Sequence, residues 1–169
     1  MFRVRIKNGE LREIEFRSTA LDDVRLIVTA TDVTERRHAE EALRASEEKY
    51  RELVQNANSI ILRRDSAGNI TFFNEFAQKF FGYAEQEILG KNIVATIVPD
   101  KDLSGRSMAD LVKDMGTHPD RHATSEMENV RRTGERVWIS WTNKPVFSPD
   151  GALREILCVG TDVTERRRH

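Results

Sequence analysis

The chain has 169 residues, of which 38% are apolar and 33% are charged, and its formal net charge is −1. This length allows one ordinary domain plus a fragment, and the interspersed charges argue against the basic face of a nucleic-acid-binding protein or a polybasic membrane anchor. No apolar run approaches the roughly 20 residues that span a bilayer. One cysteine, Cys158, excludes an internal disulfide and a cysteine-based zinc site. We therefore expect a cytoplasmic segment without nucleic-acid or membrane contacts.

The first 34 residues predict an antiparallel meander of three strands. Apolar and charged residues alternate at 2–7, as in a half-buried strand, and Asn8-Gly9 suits a hairpin turn. The alternation resumes at 14–16 and again at 24–30. Three strands without a covering helix make a poor independent domain. We expect the apolar face to pack against something, for example its copy in a dimer.

Residues 35–55 predict a helix, and Asp32 and Glu35 have capping-box spacing. Spacings of four and three residues form a heptad-like seam, which predicts a homodimer through Ala39, Leu43, Ser46, Tyr50 and Leu53. The seam is short and contains an alanine and a serine. The alternative is an amphipathic helix whose Tyr50 and Leu53 pack on their own domain.

The rest of the chain predicts two short strands, a cluster of short helices and three long strands. The order favours a sheet with helices on one face. The expected strands are 59–64, 69–73, about 123–132, 136–147 and 152–162, and the expected helices are 74–81, 84–89 and 103–115.

An internal repeat organises the chain. Thr-Asp-Val-Thr-Glu-Arg-Arg occurs at 31–37 and again at 161–167, an offset of 130 residues. The turn glycines Gly9 and Gly134 are offset by 125, so the second copy holds about five more residues, which we place in the Pro-Asp-Gly turn near Gly151. The chain is expected to begin inside one domain, cross a helical connector and finish a second domain of the same type.

Two stretches resemble the PAS family. The first is residues 70–91, with a strand, an Asn-capped helix at Asn74, a Phe-Gly-Tyr turn and a Glu-Ile-Leu-Gly-Lys helix end. The second is Thr-Asp-Val-Thr-Glu-Arg, which resembles the motif that closes PAS domains and opens a signalling helix. The resemblance implies an α+β fold: a five-stranded antiparallel sheet with short helices on one face, preceded by a helical connector and a partial PAS sheet. The implied organisation is the last three strands of a preceding PAS domain at 1–34, a linker helix at 35–48, a complete PAS domain at 49–165 and the start of the next linker helix at 166–169.

The resemblance also implies a sensory input module, as in bacterial histidine kinases of two-component systems and diguanylate cyclases. Such a module detects a small ligand or a partner and relays the signal through helical linkers to a downstream effector domain. No nucleophile elbow or Gly-rich phosphate loop is present in the sequence, so we expect no catalytic residue and no enzyme activity here. The family's relay position corresponds to Asp32, Thr34, Asp162 and Thr164. A structural spacer that senses nothing is the alternative.

Strand alternation predicts which side chains face a pocket between sheet and helices. The candidates are Met127, Asn129, Ile139, Trp141, Asn143, Ile156 and Cys158. Two inward asparagines in an apolar wall are the few polar groups that a small-ligand site needs. The alternative is that both asparagines hydrogen-bond to backbone inside a filled core.

Haem and flavin are the cofactor alternatives that the resemblance brings. A light-oxygen-voltage photosensor needs a cysteine after Gly-Lys-Asn, but Ile93 stands there, while Asn129 still resembles a flavin-contacting position. Haem-binding relatives carry a histidine just before the long strands, where His118 and His122 lie, although Pro119 between them indicates a helix-ending turn. Pro119 also spoils a helical metal site. We expect no metal and no cofactor, and action through protein contacts or a small organic ligand.

Overall fold

The computed structural model describes residues 1–168, which divide into two compact units after Arg51. Each unit has its own antiparallel sheet. The predicted start of a linker helix at 166–169 lies within the described residues except for His169.

The first unit is a three-stranded meander followed by a long helix. Its strands follow in the order β1-β2-β3, with β1 at Phe2–Arg5, β2 at Leu11–Ala20, β3 at Leu26–Asp32 and the helix α1 at Thr34–Gln55. Gly9 has φ 85°, the left-handed conformation that the β1–β2 turn needs. The capping box predicted from Asp32 and Glu35 is wrong in detail, because Asp32 Oδ1 accepts a hydrogen bond from the Thr34 amide at 3.0 Å.

One face of the first sheet carries exposed apolar side chains, among them Phe2, Val4, Phe16, Leu26 and Val28. In α1 all five residues of the predicted seam are also exposed, with Leu43 at 61%, Tyr50 at 66% and Leu53 at 58%. The alternative in which Tyr50 and Leu53 pack on their own domain is therefore wrong.

The second unit confirms the predicted α+β fold. Its five antiparallel strands lie in the order β5-β4-β8-β7-β6. The strands are β4 at Ile60–Arg64, β5 at Ile70–Phe73, β6 at Thr124–Val130, β7 at Arg136–Phe147 and β8 at Leu153–Asp162. One face of this sheet packs on the intervening helices and forms the hydrophobic core.

Short helices connect β5 to β6. They are α2 at Glu75–Phe81, α3 at Glu85–Ile88, α4 at Met108–Thr117 and a 3₁₀ turn at Pro119–His122, and α5 follows β8 at Thr164–Arg168. The prediction of a helix from residue 103 is wrong, because α4 begins at Met108 and Leu103 is exposed. Asp102 Oδ1 accepts hydrogen bonds from the amides of Ser104 and Arg106, both at 2.9 Å, so its side chain holds a turn where the apolar pattern favours a helix.

The two sheets share one hydrogen-bonding register. Phe2 lies opposite Ile14 as Met127 lies opposite Ile139, an offset of 125 residues on both strands. Phe16 lies opposite Ala30 as Trp141 lies opposite Gly160, with offsets of 125 and 130. The sequence repeat therefore extends to the pairing of β1-β2-β3 and β6-β7-β8. The expectation that the extra five residues lie in the turn near Gly151 is wrong, because both turns span five residues and the strands β7 and β8 are longer than β2 and β3 by two and three residues.

Candidate functional site

A small cavity lies between the sheet and the helices of the second unit, with a volume of about 30 Å³. This space holds about two water-sized groups. The sheet contributes Leu62, Arg64, Met127, Asn129, Trp141, Asn143 and Cys158 to its wall, and the segment between β5 and β6 contributes Ile93, Ile97, Val98, Val112 and Met115.

Five of the seven predicted pocket residues line this cavity, and two do not. Ile139 and Ile156 are both buried in the core, but neither is part of the wall. Ile139 pairs with Asp162 near the end of the sheet where α5 begins, and Ile156 pairs with Arg64. At the Ile156–Arg64 pair the longer arginine side chain reaches the cavity.

The two asparagines of the wall hydrogen-bond to other parts of the domain. Asn129 Nδ2 donates to the carbonyl oxygen of Ile97, and its Oδ1 accepts from Trp141 Nε1, both at 3.0 Å. Asn143 Nδ2 donates to the carbonyl oxygen of His122 at 2.9 Å. The sequence left open the alternative that both asparagines hydrogen-bond to backbone, and both side-chain NH2 groups do so.

Arg64 is the wall residue that sequence reasoning missed. Its side chain is only 2% exposed, and Nη1 donates a long hydrogen bond of 3.4 Å to the carbonyl oxygen of Asp65. Ile60, Leu62 and Arg64 alternate onto one face of β4, so the alternation itself was the signal. The neighbouring Arg63 is exposed and lies over the Phe72 ring. An irregularity in the β4–β5 pairing falls between the two arginines.

Cys158 faces the same cavity from β8, where it pairs with Leu62 and Asn143. Burial raises the pKa of its thiol to about 11, and the positive charge of Arg64 and a hydrogen bond from its side chain only partly oppose that shift. Cys158 is therefore a neutral thiol near pH 7.

The two histidines that the haem alternative required both bind Asp114. His118 Nδ1 lies 3.0 Å from Asp114 Oδ1, and His122 Nε2 lies 2.6 Å from Asp114 Oδ2. The hydrogen bond from His122 lowers the pKa of the Asp114 carboxyl most, and the one from His118 lowers it further. Neither histidine lines the cavity.

The cavity can be compared in size with the two cofactor alternatives. Its volume of about 30 Å³ is smaller than a porphyrin or a flavin ring system, and the apolar Ile93 occupies the wall where a photoreactive cysteine would follow Asn92. Within the described part of the chain, no group of three or more His, Cys, Asp or Glu side chains could hold a metal ion.

The start of α5 is bonded to the beginning of β7 through the predicted relay residues Asp162 and Thr164. Asp162 Oδ1 accepts from the Thr164 amide at 2.9 Å and from the Thr164 hydroxyl at 2.5 Å, and Thr164 Oγ1 accepts from the Trp138 amide at 2.9 Å. The Val163 amide donates to the carbonyl oxygen of Trp138 at 2.9 Å. We call this arrangement the junction.

The first unit builds the same junction at the start of α1. Asp32 Oδ1 accepts from the Thr34 hydroxyl at 2.6 Å, Thr34 Oγ1 accepts from the Glu13 amide at 2.8 Å, and the Val33 amide donates to the carbonyl oxygen of Glu13 at 3.0 Å. Glu13 and Trp138 occupy equivalent positions in β2 and β7, 125 residues apart. The repeated sequence thus forms one helix-starting structure twice.

The outer face of the second sheet also contacts α5. The guanidinium of Arg167 lies 3.9 Å from the centre of the Trp138 ring. Glu126 on β6 pairs with Arg166 and, at 3.2 Å, with Arg167. The helix therefore rests on β6 and β7, whose opposite face lines the cavity.

The sequence model of the family described as the PAS fold matches residues 48–163. The chain belongs to the PAS family. Two curated relatives from Pseudomonas aeruginosa carry similar segments. The two-component sensor PprA is 29% identical over 140 residues, and the biofilm dispersion protein BdlA is 27% identical over 104 residues. The matches cover 81% and 62% of this chain but only 14% of PprA and 24% of BdlA, so this PAS chain corresponds to a small part of each relative.

Solved structures show the same fold. The PAS domain of an HTR-like protein from Haloarcula marismortui has a TM-score of 0.59 at 20% identity, covering 75% of this chain and 98% of that one. In the described part of this PAS chain, no helix is long and apolar enough to cross a membrane.

Proposed function

We propose that the chain is a sensory input module of a bacterial signalling protein. Its PAS domain detects a small ligand or a partner and relays the event through helical linkers to an effector domain elsewhere in the parent protein. The observation that carries this proposal is the junction, which the chain builds at both helix starts with the same hydrogen bonds. The likeness to the sensor PprA supports it. The chain is itself non-catalytic, and a histidine kinase or diguanylate cyclase domain is the proposed effector.

The cavity and the junction share two strands. On β8, Cys158 in the cavity wall precedes Asp162 by four residues, and on β7, Trp141 in the wall follows Trp138 by three. A ligand that spreads the sheet from the helices moves both strands at the point where α5 starts. The proposed two-state element is therefore the Trp138–Thr164 hydrogen bond and the helix that depends on it.

Replacing Thr164 with valine tests this relay. The change keeps the shape of the side chain but removes the hydroxyl that bridges Asp162 and the Trp138 amide. We expect the free energy of unfolding to fall by about 1–2 kcal/mol and the backbone amides of residues 163–168 to exchange hydrogen roughly tenfold faster. Hydrogen exchange with mass spectrometry measures the second effect, and the exposed neighbour Thr161→Val is the matched control.

A cavity substitution then connects the relay to sensing. Met115→Ala enlarges the cavity without touching the junction, and we expect it to change exchange at 163–168 in the natural background but not alongside Thr164→Val. If Met115→Ala leaves the exchange of 163–168 unchanged in the natural background, the cavity does not communicate with α5 and the sensory proposal fails.

We further infer that residues 1–34 are the last three strands of a preceding PAS domain, that 35–48 form a linker helix, that 49–165 form the complete domain and that the next linker helix starts at 166. The shared register of the two sheets supports this division. The other elements of such a preceding domain would cover the exposed apolar face of β1, β2 and β3.

The exposed seam of α1 supports a homodimer. Leu43→Glu places a charge in the middle of that seam, and we expect it to weaken dimerisation at least tenfold. Sedimentation velocity over a concentration series measures the effect. Ala45→Glu adds the same charge to the same helix outside the seam and should leave the dimer intact. If the Leu43→Glu variant dimerises as strongly as the natural chain, the seam of α1 is not the dimer interface.

Two other functions are the alternatives: a spacer that holds dimer geometry without a ligand, and a haem- or flavin-bearing sensor in the cytoplasm. An absorbance spectrum of the fresh protein, followed by mass spectrometry of its denatured supernatant, separates them. A Soret or flavin band favours the cofactor sensor. A released small molecule favours the proposal above, and protein absorbance alone with no cavity-to-junction response favours the spacer.

A further inference from the structure

Arg64 is a buried cation that the fold leaves without an anionic partner. It is 2% exposed and lines the cavity, and among residues 1–168 it takes part in no ion pair. A guanidinium stays charged at physiological pH and offers five N–H donors. Its described hydrogen bonds go to the Asp65 carbonyl oxygen at 3.4 Å and to the side chain of Cys158, so other donors remain free. An unpaired charge in apolar surroundings is far more costly than an exposed one.

The acids that could neutralise Arg64 are engaged elsewhere. Asp65 accepts from the amide and the side chain of Asn69 at 2.8 and 3.0 Å. The buried Glu128 pairs with Arg136 at 2.8 Å. The neighbouring wall residue Cys158 has a pKa of about 11, so it supplies no negative charge. None of these three groups supplies a free negative charge to Arg64.

We propose that the cavity binds the carboxylate of a short aliphatic monocarboxylate, with Arg64 as its charge partner. This inference rests on the proposed sensory function and specifies its ligand. A guanidinium presents parallel N–H donors that match the two oxygens of a carboxylate. The cavity of about 30 Å³ has room for about two such oxygen-sized groups.

The remaining wall suits an aliphatic chain. Ile93, Ile97 and Val112 are apolar, and Met115 and Met127 are unbranched side chains that can change rotamer to make room. Phosphate and sulfate bring four oxygens and a higher charge than one carboxylate, and Asn129 and Asn143 each use one Nδ2 N–H on a backbone carbonyl. The site therefore favours a single carboxylate over these larger anions.

Isothermal titration calorimetry of the chain with sodium propionate tests the proposal, with sodium chloride at matched ionic strength and the neutral isostere propionamide as controls. We expect saturable propionate binding, at least tenfold weaker binding of propionamide and no heat of binding from chloride. Arg64→Met should weaken propionate binding at least tenfold. Arg63→Met, the exposed neighbour on the same strand, should change it less than twofold.

Arg64→Met should fold, because methionine replaces an unpaired buried charge with an apolar side chain that fits the wall. Arg64→Lys is a second variant that keeps the charge but loses the paired donors, and intermediate affinity is expected. Equal binding by Arg64→Met, equal binding of propionamide, or binding of phosphate without any monocarboxylate overturns the proposal. If propionate does not bind while Met115→Ala still alters exchange at 163–168, the ligand inference fails and the sensory proposal stands. If propionate binds through Arg64 without altering that exchange, the sensory relay fails instead.

Discussion

Replacing Asn74 with alanine is expected to lower the free energy of unfolding by about 3–4 kcal/mol. The side chain is fully buried and makes four hydrogen bonds of 3.0 Å. Oδ1 accepts from the Ala77 amide, which caps α2, and from the Ile61 amide in β4. Nδ2 donates to the carbonyl oxygens of Val54, at the end of α1, and Ser59. Alanine removes all four bonds, and of the four groups the Val54 carbonyl keeps a hydrogen bond, from the Ala57 amide at 3.4 Å.

Urea denaturation followed by circular dichroism measures this loss. Asn56→Ala, at an exposed asparagine in the same connecting segment, is the matched control and should change stability by less than about 0.5 kcal/mol. A loss below about 1 kcal/mol for Asn74→Ala would show that the segment rearranges to satisfy the freed groups. Asn74 would then not be the residue that joins α1, β4 and α2.

Gly116→Ala is expected to destabilise the PAS domain by about 2–3 kcal/mol. A Cβ atom at this position in α4 would lie 2.3 Å from the carbonyl oxygen of Ser66, in the turn between β4 and β5. Because the obstacle is backbone, the helix or the turn must shift. Val112 and Met115, which line the cavity, would shift with the helix.

The clash with Ser66 reverses the effect on stability that Gly→Ala ordinarily has in a helix. In an unobstructed helix interior the same change stabilises by about 1 kcal/mol. Thermal or urea unfolding of Gly116→Ala shows whether stability falls or rises. Lys113→Ala, at an exposed position on α4, is the control. A variant as stable as the natural chain, or more stable, would mean that α4 and the β4–β5 turn are not held in close contact.

Much of the fold could be predicted from local signals. Asn74 before an apolar helix and Gly82 after it mark both ends of α2, and the alternation along 136–147 marks β7 because the period of a strand is local. The start of α4 was missed because Leu103 continues an apolar pattern, while the side chain of Asp102 bonds to nearby amides and holds a turn. Sequence periodicity does not report such competition.

The candidate site could be predicted only in part. Five wall residues follow from strand alternation, but the pairing of Asn129 with Trp141 depends on the cross-strand register and on side-chain rotamers. Arg64 was missed because a charged residue at the end of a short strand is ordinarily exposed. Its burial depends on the β4–β5 irregularity and on helices that are distant in sequence.

The duplicated junction also defines an exchangeable cassette. Residues 31–37 and 161–167 are identical, and in both copies the helix starts two residues after an aspartate that caps it. Copies of the segment from Thr34 to Val163 can therefore be joined end to end, and the sequence across each joint is then Thr-Asp-Val-Thr-Glu-Arg-Arg. Arrays of two or three cassettes would keep the native sequence at each joint, so the length of a sensor could be varied without designing a linker.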